Sequence, residues 1–387
     1  MDRANIVIIG GGVVGCAIAR AVSQRWDDVF LLDQMPKLGM VTSSRNSGVI
    51  HSGLYYTPGS LKARHCLAGN RLTYEFCAAH NVPHRRTGKL VVTTTPEEEA
   101  ELTHLVERGL ANGLEGLRIV DRAAIRAREP HIEGRAALEV PSTGIVASEE
   151  LVKAYARVAA EQGASILTHA RVVRLEPQKD SIQVWIRTGN AAGPTGDASV
   201  ESVDTRCVVN AAGLFADEVA AMLGNTSYRI YPVRGEYCEV TRTKSYLING
   251  LVYPLPHPEG LSLGLHFTKT LWGTVLVGPT ARYVADKADY ERDRLPVEEF
   301  VRRAKPMLPE IEASDLTLAY SGLRPKLVPP PDPARDKPGV KRIADFVITR
   351  DPNVPHAIQL IGIDSPGLTA APSIAQHVSQ LVAQTLE

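Results

Sequence analysis

The feature that most constrains this 387-residue chain is its N-terminal glycine pattern and what flanks it. Ile6-Val7-Ile8-Ile9 is a short β-branched apolar run of the kind that forms a buried parallel strand. Gly10, Gly12 and Gly15 follow in the spacing G-x-G-x-x-G, and Gly15, Ile18, Ala19, Val22 and Trp26 recur at helical intervals. A second apolar run, Val29-Phe30-Leu31-Leu32, ends in Asp33. This order predicts a βαβ unit that binds a dinucleotide. Gly10 permits the tight turn, Gly12 lets backbone N–H groups reach a pyrophosphate, and Gly15 lets helix and strand pack closely. The helix start adds N–H donors and partial positive charge. Asp33 is suited to accept hydrogen bonds from a ribose diol. A purely structural glycine turn is the competing reading, and it leaves the acid after the second strand unexplained. The motif alone does not separate NAD from FAD.

Composition excludes several classes. Lys+Arg and Asp+Glu both number 43, so no whole-chain basic field for nucleic acid exists. The cluster His84-Arg85-Arg86 reads as solvated surface. No apolar run approaches the ~20 residues of a membrane helix. Arg3 before an apolar stretch imitates a signal peptide, but Asp2 and the glycines interrupt it, so the segment reads as mature structure. The five cysteines (16, 66, 77, 207 and 238) are scattered and never spaced C-x-x-C. That argues against disulfides and against a zinc site, and no metal is expected. The expected location is the cytoplasm, with peripheral membrane attachment left open.

Helices are expected from Ser60 to about His80, Pro96 to Gly109, Ser148 (as N-cap) to Gly163, Phe215 to Leu223, Pro296 to Leu308, and at the C-terminus. Strands are expected at Lys89–Thr93, at 166–167, 172–173 and 182–186, at 207–210, and widely between Tyr228 and Thr280. Turns are expected from Gly189 to Ser199 and at Pro258-Glu259-Gly260. The six prolines between Pro325 and Pro338 read as an ordered or lid-like loop rather than a linker, because a strand pair and a second glycine turn follow them. That turn, from Gly362 to Thr369, feeds a helix and is a second candidate anion site.

At this point the chain resembles the FAD-dependent oxidoreductases of the D-amino-acid-oxidase-like fold. That group includes glycine and sarcosine oxidases, glycerol-3-phosphate dehydrogenases and L-2-hydroxyglutarate dehydrogenases. The resemblance rests on six stretches in order: residues 42–56, 58–64, 232–237 (Pro-Val-Arg-Gly-Glu-Tyr), 264–268 (Gly-Leu-His-Phe-Thr), 322–326 (Gly-Leu-Arg-Pro-Lys) and 365–370. The 2-hydroxyglutarate group is the nearest match. The resemblance implies an α/β fold in which a Rossmann-like FAD-binding domain of the glutathione-reductase/D-amino-acid-oxidase type (1–82, 142–226 and 342–387) is interleaved with a β-sheet-plus-helices substrate domain (83–141 and 227–341). It implies one FAD and no NAD(P), and the absence of a second G-x-G-x-x-G agrees. Val13 and Val14 would lie by the pyrophosphate, and Thr42, Ser43, Ser44, Arg45, Asn46 and Ser47 would run along it toward the flavin. Val172 would meet adenine through its backbone, and Ala212 and Gly213 would approach the cofactor. Gly362, Gly367, Leu368 and Thr369 would bring N–H groups and a helix dipole to the flavin.

The implied chemistry is oxidation of a small 2-hydroxy acid, 2-hydroxyglutarate foremost, with hydride passing to flavin N5. A guanidinium suits a carboxylate because its paired donors match two oxygens. Arg324 is the first choice, since related amine oxidases place an Arg there. His266 ranks slightly above His51 as proton acceptor, because His51 follows the flavin loop and could instead organise it. A dicarboxylate needs a second cation, for which Arg45, Arg64, Arg234 and Lys326 are candidates. Tyr55, Tyr237 and Tyr253 are candidate hydrogen-bond donors. The rivals are glycerol-3-phosphate dehydrogenase, an amine or amino-acid oxidase, and a non-catalytic flavin-binding subunit or sensor. The first typically has Arg-Tyr where this chain has Tyr55-Tyr56, which weakens the case for a phosphate substrate. No motif encodes the electron acceptor (oxygen, quinone or carrier protein), covalent flavin attachment, substrate stereochemistry or oligomeric state.

Overall fold

The computed structural model describes residues 3–189, 199–256, 263–332 and 344–387. Residues 190–198 of the turn expected from Gly189 to Ser199, the Pro258-Glu259-Gly260 turn, and Pro333 and Pro338 of the proline-rich stretch lie outside the described residues.

The βαβ unit forms as read. β1 (Arg3–Ile9) leads to α1 (Val13–Val22), and β2 (Val29–Leu32) returns parallel to β1, with Ile6 opposite Val29 and Ile9 opposite Leu32. The strand Ser199–Asn210 lies parallel to β1 on the other side, and its end pairs parallel with Ala357–Ile361. Antiparallel strands Ala170–Pro177 and Ile182–Thr188, the short strand Ser165–Leu167 and Val347–Arg350 complete an eight-stranded sheet. Its central strands are apolar on both faces because both faces are covered. On one side Ile6, Ile8 and Leu31 pack beneath α1, the helix Ser148–Glu161 and the helix Gly367–Leu386. On the other, Val7, Ile9 and Val208 meet Val172, Leu175 and Val219.

A nine-stranded sheet forms the second body. Its order is Arg282–Tyr283, Tyr231–Val240, Val275–Gly278, His266–Lys269, Leu251–Pro254, Lys89–Thr93, Ala136–Val140 and Arg118–Asp121, with Leu316–Lys326 also on Tyr231–Val240. Every pairing is antiparallel except Leu251–Pro254 against Lys89–Thr93, where two distant stretches of chain meet. The core between this sheet and the helix Val297–Ala304 includes Phe267, Val277, Phe300 and Leu308.

Helix starts follow local chemistry. Ser60 Oγ accepts the Ala63 N–H and caps the helix Leu61–Ala79. Thr95 and Glu98 form a capping box on the helix Pro96–Ala111. Ser148 is a correction: the cap position is Ala147, and the Ser148 hydroxyl instead donates to Asn46 Oδ1 at 3.0 Å. No helix among the described residues is long and apolar enough to cross a membrane.

Candidate active site

β1 and the strand Ser199–Asn210 both end at one crevice, the usual ligand position in open α/β sheets. Gly10 has φ +109°, and a Cβ there would stand 2.5 Å from the Ala211 carbonyl oxygen. A Cβ on Gly15 would lie 1.8 Å from the Gly10 carbonyl oxygen, so only glycine lets α1 sit this close to β1. Gly12 caps α1, and the Val13 N–H donates to Ser43 Oγ at 2.9 Å. Asp33 accepts N–H groups from Gly11 (2.6 Å) and Met35 (2.7 Å). Burial pushes its carboxyl up, against these two hydrogen bonds, which pull it down.

One continuous cleft of about 1030 Å³ opens from this cradle. It is lined by Gly10, Gly12, Val13, Val14, Asp33, Val172, Ala212 and Gly213, and by Thr42, Ser43, Arg45, Asn46 and Ser47. The volume is at the upper limit of ordinary ligand pockets, ~300–1,000 Å³, as a long ligand beside a small one requires. Asn46 ties the loop together: its amide donates to the Thr42 and Ser43 carbonyls, and its Oδ1 accepts the Gly48 N–H. Ser44 is not in the lining; its hydroxyl returns to the Val41 carbonyl. Gly367 and Leu368 line the cleft, but Gly362 and Thr369 do not. Gly362 packs against Leu327, and Thr369 accepts the His51 N–H and donates to the Val49 carbonyl.

Arg324, Lys326, His51, His266, Tyr55 and Tyr237 line the same cleft. Arg324 lies against Gly235, where a Cβ would meet both terminal guanidinium nitrogens at 2.7 Å, and its Nη1 donates to the Thr280 carbonyl at 3.2 Å. His266 Nδ1 donates to the Gly264 carbonyl at 3.0 Å, which leaves Nε2 as the bare acceptor. Its ring stacks on Tyr253 at 3.8 Å. His51 is held through its backbone, while its Nε2 is 3.4 Å from Ser365 Oγ and its Nδ1 is buried without a partner. Burial lowers both imidazoles to about 3, so both are neutral near pH 7. Tyr253 is buried behind His266 and is not in the lining.

Arg234 is the clearest correction. Its side chain is fully buried, bonded to Glu236 (3.0 Å), Asp289 (2.8 Å) and the Arg292 carbonyl. All its donors point away from the cleft, because alternate residues of a strand face opposite sides and Gly235 and Tyr237 take the cleft side. Arg64 likewise is absent from the lining, and Arg45 stacks on Tyr290 at 4.5 Å with Nη1 on the Ser321 carbonyl. Two features escaped the sequence reading. Lys62 and Lys326 grip one carboxylate, Asp364, at 2.7 and 2.8 Å. Burial alone would raise that carboxyl, but the two ammoniums hold it below its ordinary range. Lys89 is buried behind Tyr55 and Tyr253. Among the described residues no group of three or more His, Cys, Asp or Glu side chains is placed to hold a metal.

Cradle and cleft together define a dinucleotide-binding enzyme. The family model "FAD dependent oxidoreductase" (DAO) matches residues 5–381, and the chain belongs to that family. It is 32% identical to an L-2-hydroxyglutarate dehydrogenase of Indibacter alkaliphilus, over 97% of this chain and 98% of that one. It is 33% identical to a mitochondrial L-2-hydroxyglutarate dehydrogenase of Arabidopsis thaliana, over 98% and 83%. Among solved structures it is similar to an L-alpha-glycerophosphate oxidase of Mycoplasma pneumoniae with FAD bound, at TM-score 0.85 and 27% identity, covering 99% of this chain and 95% of that one.

FAD is therefore the cofactor, and the residues present fit it. Gly10, Gly12 and the start of α1 would hold the pyrophosphate, and Asp33 a ribose. A Cβ on Gly213, at φ +57°, would meet nothing within 4 Å, so the open side of the turn is free for a ligand. Asp33→Ala is expected to weaken FAD retention about 10- to 100-fold, the value of one charge-assisted hydrogen bond. Flavin absorbance per protein after dialysis measures it; unchanged occupancy would remove Asp33 from the cofactor site.

Proposed function

We propose that this chain oxidises a small 2-hydroxy acid, 2-hydroxyglutarate foremost, to the 2-oxo acid. FAD, when bound, supplies the hydride acceptor. The reading is carried by one juxtaposition: a neutral imidazole with a bare Nε2, and a guanidinium, on the walls of the same cleft. Arg324 binds the carboxylate next to the reacting carbon and fixes which hydrogen faces the cofactor. His266 Nε2 takes the hydroxyl proton. Bound carboxylate raises the basicity of that imidazole from its depressed resting value, since a neighbouring anion favours imidazolium. Lys326 and Lys62, with one carboxylate between two ammoniums, keep one net positive charge for the distal carboxylate. The names of the 32–33% identical relatives support this substrate. We further read the two sheets as two domains, with the FAD body in 1–82, 142–226 and 342–387 and the substrate body in 83–141 and 227–341.

Anaerobic flavin reduction tests the substrate. L-2-Hydroxyglutarate is expected to bleach the flavin fastest among L- and D-2-hydroxyglutarate, lactate, glycerol 3-phosphate and sarcosine. The similarity to a glycerophosphate oxidase makes glycerol 3-phosphate the second candidate. Bleaching by it alone, with every 2-hydroxy acid inert, would overturn the proposal.

The histidine environments also set a pH dependence of stability. Both are lowered by burial from 6.5 to about 3 in the folded chain. Between those values the unfolded chain binds protons that the folded chain refuses, so acidification favours unfolding. The Tm is expected to fall steadily from pH 6.5 toward pH 4, and less so in His266→Gln, where one of the two groups is gone.

A further inference from the structure

Lys89 begins the strand Lys89–Thr93, yet it is only 1% exposed. Its ammonium lies over the ring faces of Tyr55, at 4.1 Å, and Tyr253, at 4.8 Å. Tyr253 is placed there by the parallel pairing of Leu251–Pro254 with Lys89–Thr93, and its ring also stacks on His266. Two buried polar atoms in this region have no hydrogen-bond partner: Tyr55 Oη and His51 Nδ1. A cation brought into such a place is costly unless aromatic faces and nearby dipoles replace its water. The fold nevertheless brings it against the Tyr253 ring that stacks on His266.

We propose that Lys89 is a positioning residue for catalysis: a buried cation that, through the Tyr253 ring stacked on His266, opposes a second positive charge there and so extends the proton-accepting form of His266 to lower pH. The proposal rests on the reading of a cleft histidine as the proton acceptor. A proton on His266 would place a second positive charge against the ring that already carries the ammonium. Burial lowers Lys89 to about 7, still far above the two histidines. As pH falls, Lys89 therefore charges first, and its charge then helps to lower both imidazoles, whose main depression comes from burial.

Titratable groups from several elements face Lys89. The loop before the helix Leu61–Ala79 supplies His51 and Tyr55, and that helix supplies Cys66, a buried thiol pushed far above its ordinary range. The neighbouring strands supply Tyr253 and His266; besides burial, His266 is lowered by Lys89 and by Arg324, and His51 by Lys89 and by His266. Glu139, on the adjacent strand Ala136–Val140, is committed to Arg118 and Arg128.

The test compares the FAD-loaded parent with Lys89→Met and Lys89→Arg, using whichever substrate bleaches the flavin. In Lys89→Met the acid limb of kcat/KM is expected to move to higher pH by about one unit, the effect of removing one nearby like charge. Lys89→Arg keeps the charge and is expected to keep the limb near the parent's. The Tm of Lys89→Met is expected to rise, because a buried charge is replaced by an apolar chain of similar length. A merely structural lysine predicts the opposite: a lower Tm and an unmoved limb. An unmoved limb in Lys89→Met, or an equal shift in Lys89→Arg, would overturn the proposal. A substrate-free measurement covers the case in which Lys89→Met does not fold and separates this proposal from the substrate assignment. In parent protein carrying 13C-labelled Lys Cε and His Cε1, the resonances of His51 and His266 are expected to shift at the midpoint where Lys89 titrates. Histidine signals indifferent to that midpoint would overturn it equally.

Discussion

Replacing His266 with Gln is expected to lower kcat by about 10²- to 10⁴-fold, the usual contribution of a positioned proton acceptor. The size follows from how the ring is held. Nδ1 is spent on the Gly264 carbonyl, so the proton of the neutral ring is fixed there and the lone pair stays on Nε2. Tyr253 stacks on the ring at 3.8 Å, which holds its plane. His51 lacks both constraints: its Nδ1 has no partner and its Nε2 has only a 3.4 Å approach to Ser365. His51→Gln is therefore expected to cost about tenfold or less, a loss of loop order rather than of chemistry. Stopped-flow flavin reduction at saturating substrate separates the two. A large loss in His51→Gln with a small one in His266→Gln would reverse the assignment. KM in His266→Gln is expected to stay near the parent value, since the imidazole carries no charge for the substrate to lose.

The parts of the molecule legible in the sequence are those whose signal is local. The glycine spacing, the apolar strands beside it and Asp33 lie within one βαβ unit, so their pattern is visible in thirty-odd consecutive residues even though Gly10 also packs against Ala211. The helix Pro96–Ala111 is equally local, announced by Thr95, Pro96 and three glutamates. Ala136–Val140 was not legible, because its Ala-Ala-Leu-Glu-Val reads as readily helical and becomes a strand only between Lys89–Thr93 and Arg118–Asp121. Ser148 looked like a cap until Asn46, about a hundred residues earlier in the chain, took its hydroxyl. Arg234 and Arg324 looked alike as basic residues in glycine-bearing strands. Their difference is a matter of which face of the sheet each occupies, and strand pairing decides that. Lys89 was the least legible of all. A lysine at a strand start reads as solvated, and only the arrival of Tyr253 from the far side of the chain buries it.

Arg324→Ala is expected to raise KM by about 30- to 5,000-fold with FAD retained, in keeping with the ~2–5 kcal/mol lost when one partner of a buried charge pair is removed. The guanidinium lies on the bare backbone of Gly235, where a Cβ would reach to 2.7 Å of both its terminal nitrogens. One hydrogen bond to the Thr280 carbonyl leaves most of its donors for a ligand. Lysine cannot present two parallel donors, so Arg324→Lys is expected to recover only part of the loss. Gly235→Ala provides a second arm that leaves Arg324 in place. The added methyl displaces a flexible side-chain end rather than backbone, so the fold is expected to persist while KM rises at least tenfold through misplacement alone. Steady-state kinetics on the best substrate of the bleaching screen, with flavin occupancy checked by absorbance, reads all three variants. If kcat/KM in Arg324→Ala equals the parent's, the substrate carboxylate lies elsewhere, and the Lys62–Asp364–Lys326 group becomes the site to test, through Lys326→Met.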